Sequence, residues 1–177
     1  MKLLLHACCA PCSVACVQSL AGEGLKPALF WYNPNIHPWT EYTIRRDCLT
    51  AFAGERGLDL EMEDEYGLRS FIRGVWPSLT DRCGFCYRLR LEKTAERASR
   101  GGFDCFSTSL LISPYQNHEL VRAIGEELSD RYGVEFLYRD FRPLFREGQK
   151  EAREQGLYMQ KYCGCIFSEE ERYAAKH

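Results

Sequence analysis

The chain has 177 residues, of which 45% are hydrophobic and 27% are charged, and its formal net charge is −2. These values are typical of one folded domain, and they exclude a disordered or low-complexity protein. The small negative charge also argues against non-specific binding of nucleic acid through the average field of the protein, although it leaves room for a local basic face.

Hydrophobic runs alternate with helix-like segments along the chain. We predict strands over residues 2–7, 26–33, 58–64, 103–111 and 134–140. We predict helices over residues 11–25, 39–57, 65–76, 87–102 and 113–133, with Ser113 as the N-cap of the last, a loop over residues 77–86, and two shorter helices around residues 161–165. This alternation favours the α/β class, with a mainly parallel sheet of about five strands and helices on both faces. We expect a single domain over residues 1–177.

The amino-terminal segment does not read as an export signal. Its apolar run "LLL" is interrupted by His6, whereas a secretory segment needs about 7–15 apolar residues and a cleavage site with small residues. No stretch approaches the roughly 20 apolar residues of a membrane span. We therefore expect a cytoplasmic protein without a membrane partner.

The chain contains ten cysteines, and seven of them fall into three clusters. The clusters are Cys8, Cys9 and Cys12, then Cys83 and Cys86, then Cys163 and Cys165. Clustered thiols in an intracellular protein favour metal or redox chemistry over disulfide bonds. Seven thiols exceed the four ligands of a closed Cys₄ site, so the sequence indicates either one centre with spare thiols or two metal centres. Adjacent side chains usually diverge, so we expect Cys8 and Cys9 to serve different partners or two irons of one cluster.

The three remaining cysteines, Cys16, Cys48 and Cys105, fall inside predicted helices or a strand. We expect them to be small buried hydrophobic residues. His6 ends the first predicted strand, where it is either a hydrogen-bonded core residue or a further ligand. The chain has no HExxH, P-loop or GxGxxG motif, so zinc hydrolysis, NTP cleavage and dinucleotide binding lack their signatures.

The chain resembles the QueH-type epoxyqueuosine reductases in five segments. They read "LLLHACCAPCS", "FWYNPNIHPWTEYTIRR", "RCGFCYRLRLEKTA", "FSTSLLISPYQNHELVRAIG" and "YCGCIFSEEER". The segments follow one another in the family's order between residue 3 and about residue 172. The agreement of five separate segments makes the resemblance more specific than a C-x-x-C motif alone.

The resemblance implies a cobalamin-independent enzyme that removes the epoxide oxygen of epoxyqueuosine at the wobble position of tRNA, with electrons from an external donor. It implies a [4Fe–4S] cluster bound by Cys8, Cys9, Cys83 and Cys86, and an additional iron, with all seven clustered cysteines as metal ligands. It also implies the Rossmann-like architecture of ATP-pyrophosphatase-like proteins. The chain has no SGGxDS-type loop, so we do not expect it to bind ATP.

By position in the family's segments, several polar residues become candidates for substrate binding. They are Tyr32, Asn33, Asn35, Arg45, Arg46, Ser107 and Ser113. Each has a structural alternative: the asparagines form a turn, Arg45 pairs with Glu41 on a helix surface, and the serines cap the next helix. The catalytic acid is unassigned among four candidates, Tyr32, Tyr42, Tyr115 and Asp81. We lean to Asp81 being a loop cap.

We expect tRNA phosphates to meet a basic patch of Arg45, Arg46, Arg88 and Arg90, with residues 139–153 as the alternative face. Two functions of other classes stay open. The first is a zinc-containing tRNA-binding module without catalysis. The second is a dithiol oxidoreductase that uses Cys83 and Cys86.

Overall fold

The computed structural model describes residues 1–174, and the last three residues of the expected domain lie outside the described chain. Its centre is a five-stranded sheet in the order β3-β2-β1-β4-β5, with every neighbouring pair parallel. The strands are β1 (Leu3–His6), β2 (Ala28–Trp31), β3 (Leu60–Met62), β4 (Cys105–Thr108) and β5 (Glu135–Phe136). The predicted α/β class and the five parallel strands are confirmed.

Seven helices surround the sheet in the described part of the chain. They are α1 (Ala10–Gly22), α2 (Trp39–Glu55), α3 (Leu68–Val75), α4 (Arg82–Gly101), α5 (His118–Tyr132), α6 (Phe145–Glu154) and α7 (Ile166–Tyr173). Because strand order reverses at β1 and crossovers are right-handed, α1 and α2 cover one face and α4 and α5 the other. The packing agrees, since α1 contacts α2 and α6 while α4 contacts α5. Within residues 1–174 no helix is both long and apolar enough to cross a membrane.

Strand β1 forms the centre of the hydrophobic core. All four of its residues are at most 1% exposed. A parallel strand covered on both faces reads as a continuous apolar run, which is why "LLL" belongs to the sheet rather than to a surface segment. The strand order reverses between β1 and β4, and ligands of such sheets bind beyond the carboxyl ends of the strands at that point. Cys8 follows β1 and Ser109 follows β4 at this position.

Two predicted boundaries are wrong. The predicted loop over residues 77–86 is a 3₁₀ helix, Trp76–Asp81, followed directly by α4. Cys83 and Cys86 therefore lie in the first turns of a helix rather than in a loop. Asp81 takes the N-cap position of α4, as the cap interpretation expected, but its side chain makes no capping hydrogen bond.

Helix α5 begins at His118, five residues after the predicted N-cap Ser113. A 3₁₀ helix, Ser109–Ile112, follows β4, and the Ser113 hydroxyl accepts a hydrogen bond from the amide of Tyr115 at 3.2 Å. Asn117 caps α5 instead, with its side-chain oxygen 3.1 Å from the amide of Leu120. Serine and asparagine both favour caps and turns. Here Ser113 lies in the turn before the helix, and Asn117 takes the N-cap position.

Candidate metal centre and substrate cavity

The first three cysteines form a compact sulfur triad. Cys8 lies beyond the end of β1, Cys9 is the N-cap of α1, and Cys12 lies in its first turn. Their Sγ atoms all lie within 4.8 Å of one another. Cys8 and Cys9 were expected to diverge, yet their Sγ atoms are 3.8 Å apart. The extended backbone of the N-cap residue turns the Cys9 side chain back towards α1, so Cys9 Sγ also accepts a hydrogen bond from the amide of Cys12 at 3.4 Å.

One sulfur of the triad is more acidic than the other two. Hydrogen bonds from the thiols of Cys12 and Cys9 lower the pKa of Cys8 well below its ordinary value, and the hydroxyl of Ser109 adds a further donor 3.3 Å away. Burial raises the pKa of Cys9, and the hydrogen bond to Cys8 raises that of Cys12. Cys8 is therefore the first of the three to ionise, and thiolate is the form that binds metal.

Gln160 covers the triad from the segment that follows α6. Its side-chain amide nitrogen donates to Cys9 Sγ at 3.0 Å and to Cys12 Sγ at 3.2 Å. The amide oxygen is buried without a partner among the described residues. Hydrogen bonds to ligand sulfurs tune the reduction potential of iron–sulfur centres, so this position fits a metal site. Sequence reasoning missed this residue, whose one available sign was its place three positions before Cys163.

The other four clustered cysteines form a second, looser group. They are Cys83 and Cys86 on α4 and Cys163 and Cys165 beside α7. Burial raises the pKa of Cys83 and that of Cys86, the latter to about 12, and the charges of Cys163 and Cys165 raise both further. The four thiols thus lie near enough to influence one another's pKa. No three of their sulfurs, however, form a group as compact as that of Cys8, Cys9 and Cys12.

A buried arginine fixes the segment that carries Cys163. Arg45 is 2% exposed and donates to the carbonyl oxygens of Cys163 at 2.9 Å and Tyr162 at 3.0 Å. Its remaining partner is the carboxylate of Glu41, one turn earlier on α2. Gly164 has a φ of +146°, and a Cβ there would lie 3.4 Å from the Arg45 guanidinium, so a glycine separates the two cysteines for a steric reason. Glu41 and Arg45 therefore form the predicted pair, in the interior rather than on the surface.

Both cysteine groups open into one cavity of about 840 Å³. Its sulfur-bearing walls are Cys8, Cys12 and Cys163. Five cationic side chains line it: Arg90, Arg146, Arg153, Lys161 and Arg172. At the mouth, Tyr115 is 85% exposed and packs edge-on against Phe145 with ring centroids 6.0 Å apart. The size is that of a typical small-molecule site, and the lining offers soft metal ligands, cations and an aromatic face.

Most of the predicted substrate-binding residues are buried and do not line this cavity. Tyr32, Asn33, Asn35 and Ser107 are all buried, and Asn33 donates to the carbonyl oxygen of Ala7 at 3.0 Å. Ser113 does line the cavity. Direct contact of the buried four with a substrate stays a prediction. Through its bond to Ala7, Asn33 supports the segment that leads into Cys8.

The predicted basic patch does not assemble on the surface. Arg45 and Arg90 are buried, Arg46 pairs with Asp47 and Asp64, and Arg88 pairs with Glu127. The cations that line the cavity are one buried member of that patch, Arg90, and four residues outside it: Arg146 and Arg153 of the alternative segment 139–153, Lys161 and Arg172. Lys161 lies next to the C-x-C segment, which was the one available sign of its position.

The expectation of burial is confirmed for Cys16 and Cys105, and for His6 the structure favours the hydrogen-bonded core residue over the ligand. Cys16 and Cys105 are fully buried and Cys48 is half-buried. His6 Nε2 lies 3.2 Å from the carbonyl oxygen of Tyr32 and must carry the proton, so its Nδ1 accepts from the hydroxyl of Thr108 at 3.0 Å. Burial lowers the pKa of His6 to about 4, which keeps it neutral. It is a core residue with both nitrogens in use.

Three of the four candidate acids, Tyr32, Tyr42 and Asp81, do not line the cavity. Burial raises the pKa of Tyr32 to about 12, and it raises that of Tyr42 further, the hydroxyl of Tyr42 lying 2.7 Å from Asp64. Tyr115 is the one member of that set that lines the cavity in the described chain.

The comparisons with known proteins agree with the site. The family model for epoxyqueuosine reductase QueH matches residues 3–171. An epoxyqueuosine reductase QueH of Dehalococcoides mccartyi is 37% identical, over 97% of this chain and 94% of its own. One from Thermotoga maritima is 35% identical, over 96% and 91%.

The solved structures add a likeness of fold. A predicted subunit of a tRNA methyltransferase from Methanocaldococcus jannaschii superposes with a TM-score of 0.51 over 89% of each chain, at 12% sequence identity. That likeness concerns the α/β architecture alone. The family match over nearly the whole chain, with its cysteines gathered around one cavity, leads to one conclusion: this chain belongs to the epoxyqueuosine reductase QueH family.

Proposed function

We propose that this protein reduces epoxyqueuosine in tRNA to queuosine. In this reaction both C–O bonds of the epoxide break, a carbon–carbon double bond forms, and the oxygen leaves as water after the uptake of two electrons and two protons. The observation that carries the proposal is the convergence of two cysteine groups on one cavity in a chain of this family. The electrons come from an external reductant, and a tRNA substrate implies a cytoplasmic location.

The donor set fits iron. The triad of Cys8, Cys9 and Cys12 would hold one centre, and the group of Cys83, Cys86, Cys163 and Cys165 would hold the other, the two being a [4Fe–4S] cluster and an additional iron. This grouping differs from the single cluster at Cys8, Cys9, Cys83 and Cys86 that the resemblance implies, and that ligand set stays a prediction. When bound, such centres supply single electrons and a Lewis acid. Gln160 and Ser109 would orient the ligand sulfurs through their hydrogen bonds.

The cavity lining suits a nucleotide from a single-stranded loop. A wobble base can be splayed out at modest cost and stacked on an aromatic ring, and Tyr115 presents such a ring at the mouth. Arg146, Arg153, Lys161 and Arg172 would meet the flanking phosphates. This concentrated set lets a chain of net charge −2 bind a polyanion. Arg45, in contrast, would act on the substrate only through the segment that it holds.

The dithiol alternative has less support. An activated redox cysteine needs a low pKa, whereas burial raises the pKa of both Cys83 and Cys86. A zinc module without catalysis would need one closed Cys₄ site, and it would leave the preassembled triad without a role.

Turnover tests the proposal directly. The protein reconstituted with iron and sulfide under anaerobic conditions is mixed with epoxyqueuosine-containing tRNA and a strong reductant, and the nucleosides are analysed by mass spectrometry. We expect queuosine, lighter by one oxygen atom, from the wild type and from Cys105→Ser, whose thiol is buried away from the cavity. Cys8→Ser should give none. A wild-type protein with an intact cluster and no product would overturn the function.

A further inference from the structure

Arg90 is a buried cation without a carboxylate partner. It lies on α4 one turn after Cys86 and is 1% exposed. Its Nε donates to the carbonyl oxygen of Cys86 at 3.1 Å, while its Nη2 is buried without any hydrogen-bond partner. Within residues 1–174 no carboxylate oxygen approaches its guanidinium within the 4.0 Å of an ion pair. Arg45, the other large buried cation, has Glu41 as its counter-ion.

A buried charge without an opposite charge is strongly unfavourable, because the interior solvates it far less well than water. Some negative group must therefore face Arg90 in the working protein. Cys86, one turn earlier on the same helix, and Cys8 and Cys163, which line the same cavity, become thiolates when they bind metal and can then supply that charge. Cys8 belongs to the triad, and the other two belong to the second group. Arg90 thus lines a cavity wall together with residues of both cysteine groups, and its Nε bonds the backbone of a third clustered cysteine, Cys86.

We propose that Arg90 is the shared counter-charge of both cysteine groups, a positioning residue that stabilises the anionic, metal-loaded thiolates of the triad and of the second group together. This inference rests on the proposed metal function. A metal centre with three or four thiolates carries net negative charge, and one cation between two such centres offsets part of it for each. Removal of the Arg90 charge should weaken metal binding at both groups, although the residue itself is not a ligand.

The test uses cobalt(II) as the probe, since its thiolate complexes have charge-transfer absorbance and need no sulfide. Metal-free full-length protein is titrated with cobalt(II) without oxygen, as wild type, Arg90→Met, Arg90→Lys and Arg88→Met. Arg88 is the matched control, because it lies on the same helix, is exposed and pairs with Glu127. We expect Arg90→Met to weaken cobalt binding at least tenfold, Arg90→Lys to restore most of the affinity, and Arg88→Met to match the wild type.

The thermal unfolding of the metal-free variants separates this role from a merely structural one. A cation whose role is to offset the charge of metal-bound thiolates contributes little to the stability of the metal-free protein. At pH 6, metal-free Arg90→Met should therefore unfold at a temperature no lower than that of the wild type. An Arg90→Met protein that is unfolded without metal would overturn the proposal, as would wild-type cobalt affinity in that variant. Equal losses in Arg90→Met and Arg90→Lys would do the same, since charge would then not be the cause. A wild-type protein that gives no thiolate–cobalt band would overturn the proposed metal centre itself.

Discussion

Cys8 and Ser109 are joined by two hydrogen bonds across the point where the strand order reverses. The amide of Cys8 donates to Ser109 Oγ at 3.1 Å, and the Ser109 hydroxyl donates to Cys8 Sγ at 3.3 Å. The first residue lies beyond β1 and the second beyond β4, so this contact links the two strand ends to the most acidic thiol of the triad. It connects the fold to the chemistry of the proposed metal centre.

Ser109→Ala should make Cys8 less acidic, because a donor to the thiolate is lost. A hydrogen bond to a charged group contributes about 1.5–3 kcal/mol, and the remaining donors from Cys12 and Cys9 will limit the loss to the lower end of that range. The pH dependence of alkylation of Cys8 by iodoacetamide, in metal-free protein, measures the effect. Ser113→Ala is the control, since Ser113 lies in the same cavity wall and bonds the amide of Tyr115. An alkylation profile that is identical in Ser109→Ala and the wild type would contradict this assignment.

Substitution of the clustered cysteines should separate ligands from packing residues. We expect Cys83→Ala and Cys86→Ala each to abolish the centre of the second group, whereas Cys16→Ala and Cys105→Ala, which remove buried thiols outside both groups, leave the iron content unchanged. Iron and acid-labile sulfide in anaerobically prepared protein are the readout. If Cys16→Ala loses its iron while Cys83→Ala keeps the wild-type content, the ligand assignment is wrong.

Gln160→Leu should retain the triad's metal but shift its reduction potential to a more negative value. The amide nitrogen of Gln160 donates to two sulfurs, and the loss of such donors leaves more electron density on the ligands. Spectroelectrochemical titration of the reconstituted protein measures the potential. Gln155→Leu, at an exposed position whose side chain donates a hydrogen bond to Glu151, provides the control. Equal potentials in the two variants would show that Gln160 does not act on the centre.

Charge reversal at the cavity rim should weaken tRNA binding. Arg146→Glu with Arg153→Glu should reduce the affinity and flatten the salt dependence, because each lost phosphate contact lowers the slope by about one. Arg46→Glu with Arg88→Glu changes the net charge by the same amount at residues already paired with acidic side chains, so its effect should be smaller. Filter binding across a salt series compares the two double variants. A larger loss for the second pair would return the binding face to the patch predicted from sequence.

The free energy of unfolding of the metal-free protein should fall as the pH drops below 6.5, the ordinary pKa of a histidine side chain. Burial lowers the pKa of His37 from 6.5 to about 4 in the folded protein. Between these two pH values the side chain is protonated in the unfolded chain but neutral in the folded one. The contribution of His37 is therefore fully present above pH 6.5 and is lost on acidification towards pH 4, by up to about 3 kcal/mol. Urea unfolding at pH 7 and pH 5, with a chelator present, measures it for the wild type and His37→Asn. The same pH dependence in both proteins would contradict the prediction.

The sequence predicted the fold well because its signals are local. Each of these signals can be recognised within a short stretch of sequence: the apolar β1, the alternation of strands and helices, and the glycines after α4 and α5. The boundaries at Arg82 and His118 were missed because short 3₁₀ turns precede both helices, and these depend on tertiary packing. The basic patch was missed for a related reason. Whether Arg45 or Arg90 is exposed depends on segments more than 60 residues away along the chain, which the sequence does not bring together.

The iron and sulfide content of the protein, isolated without exposure to oxygen, tests the central claim most directly. A [4Fe–4S] cluster with one additional iron corresponds to about five irons and about four sulfides per chain, with the brown colour and absorbance of iron–sulfur centres. We expect values near this ratio in the wild type and in Cys105→Ser. One zinc per chain with neither iron nor sulfide would contradict the claim and would favour a structural zinc site.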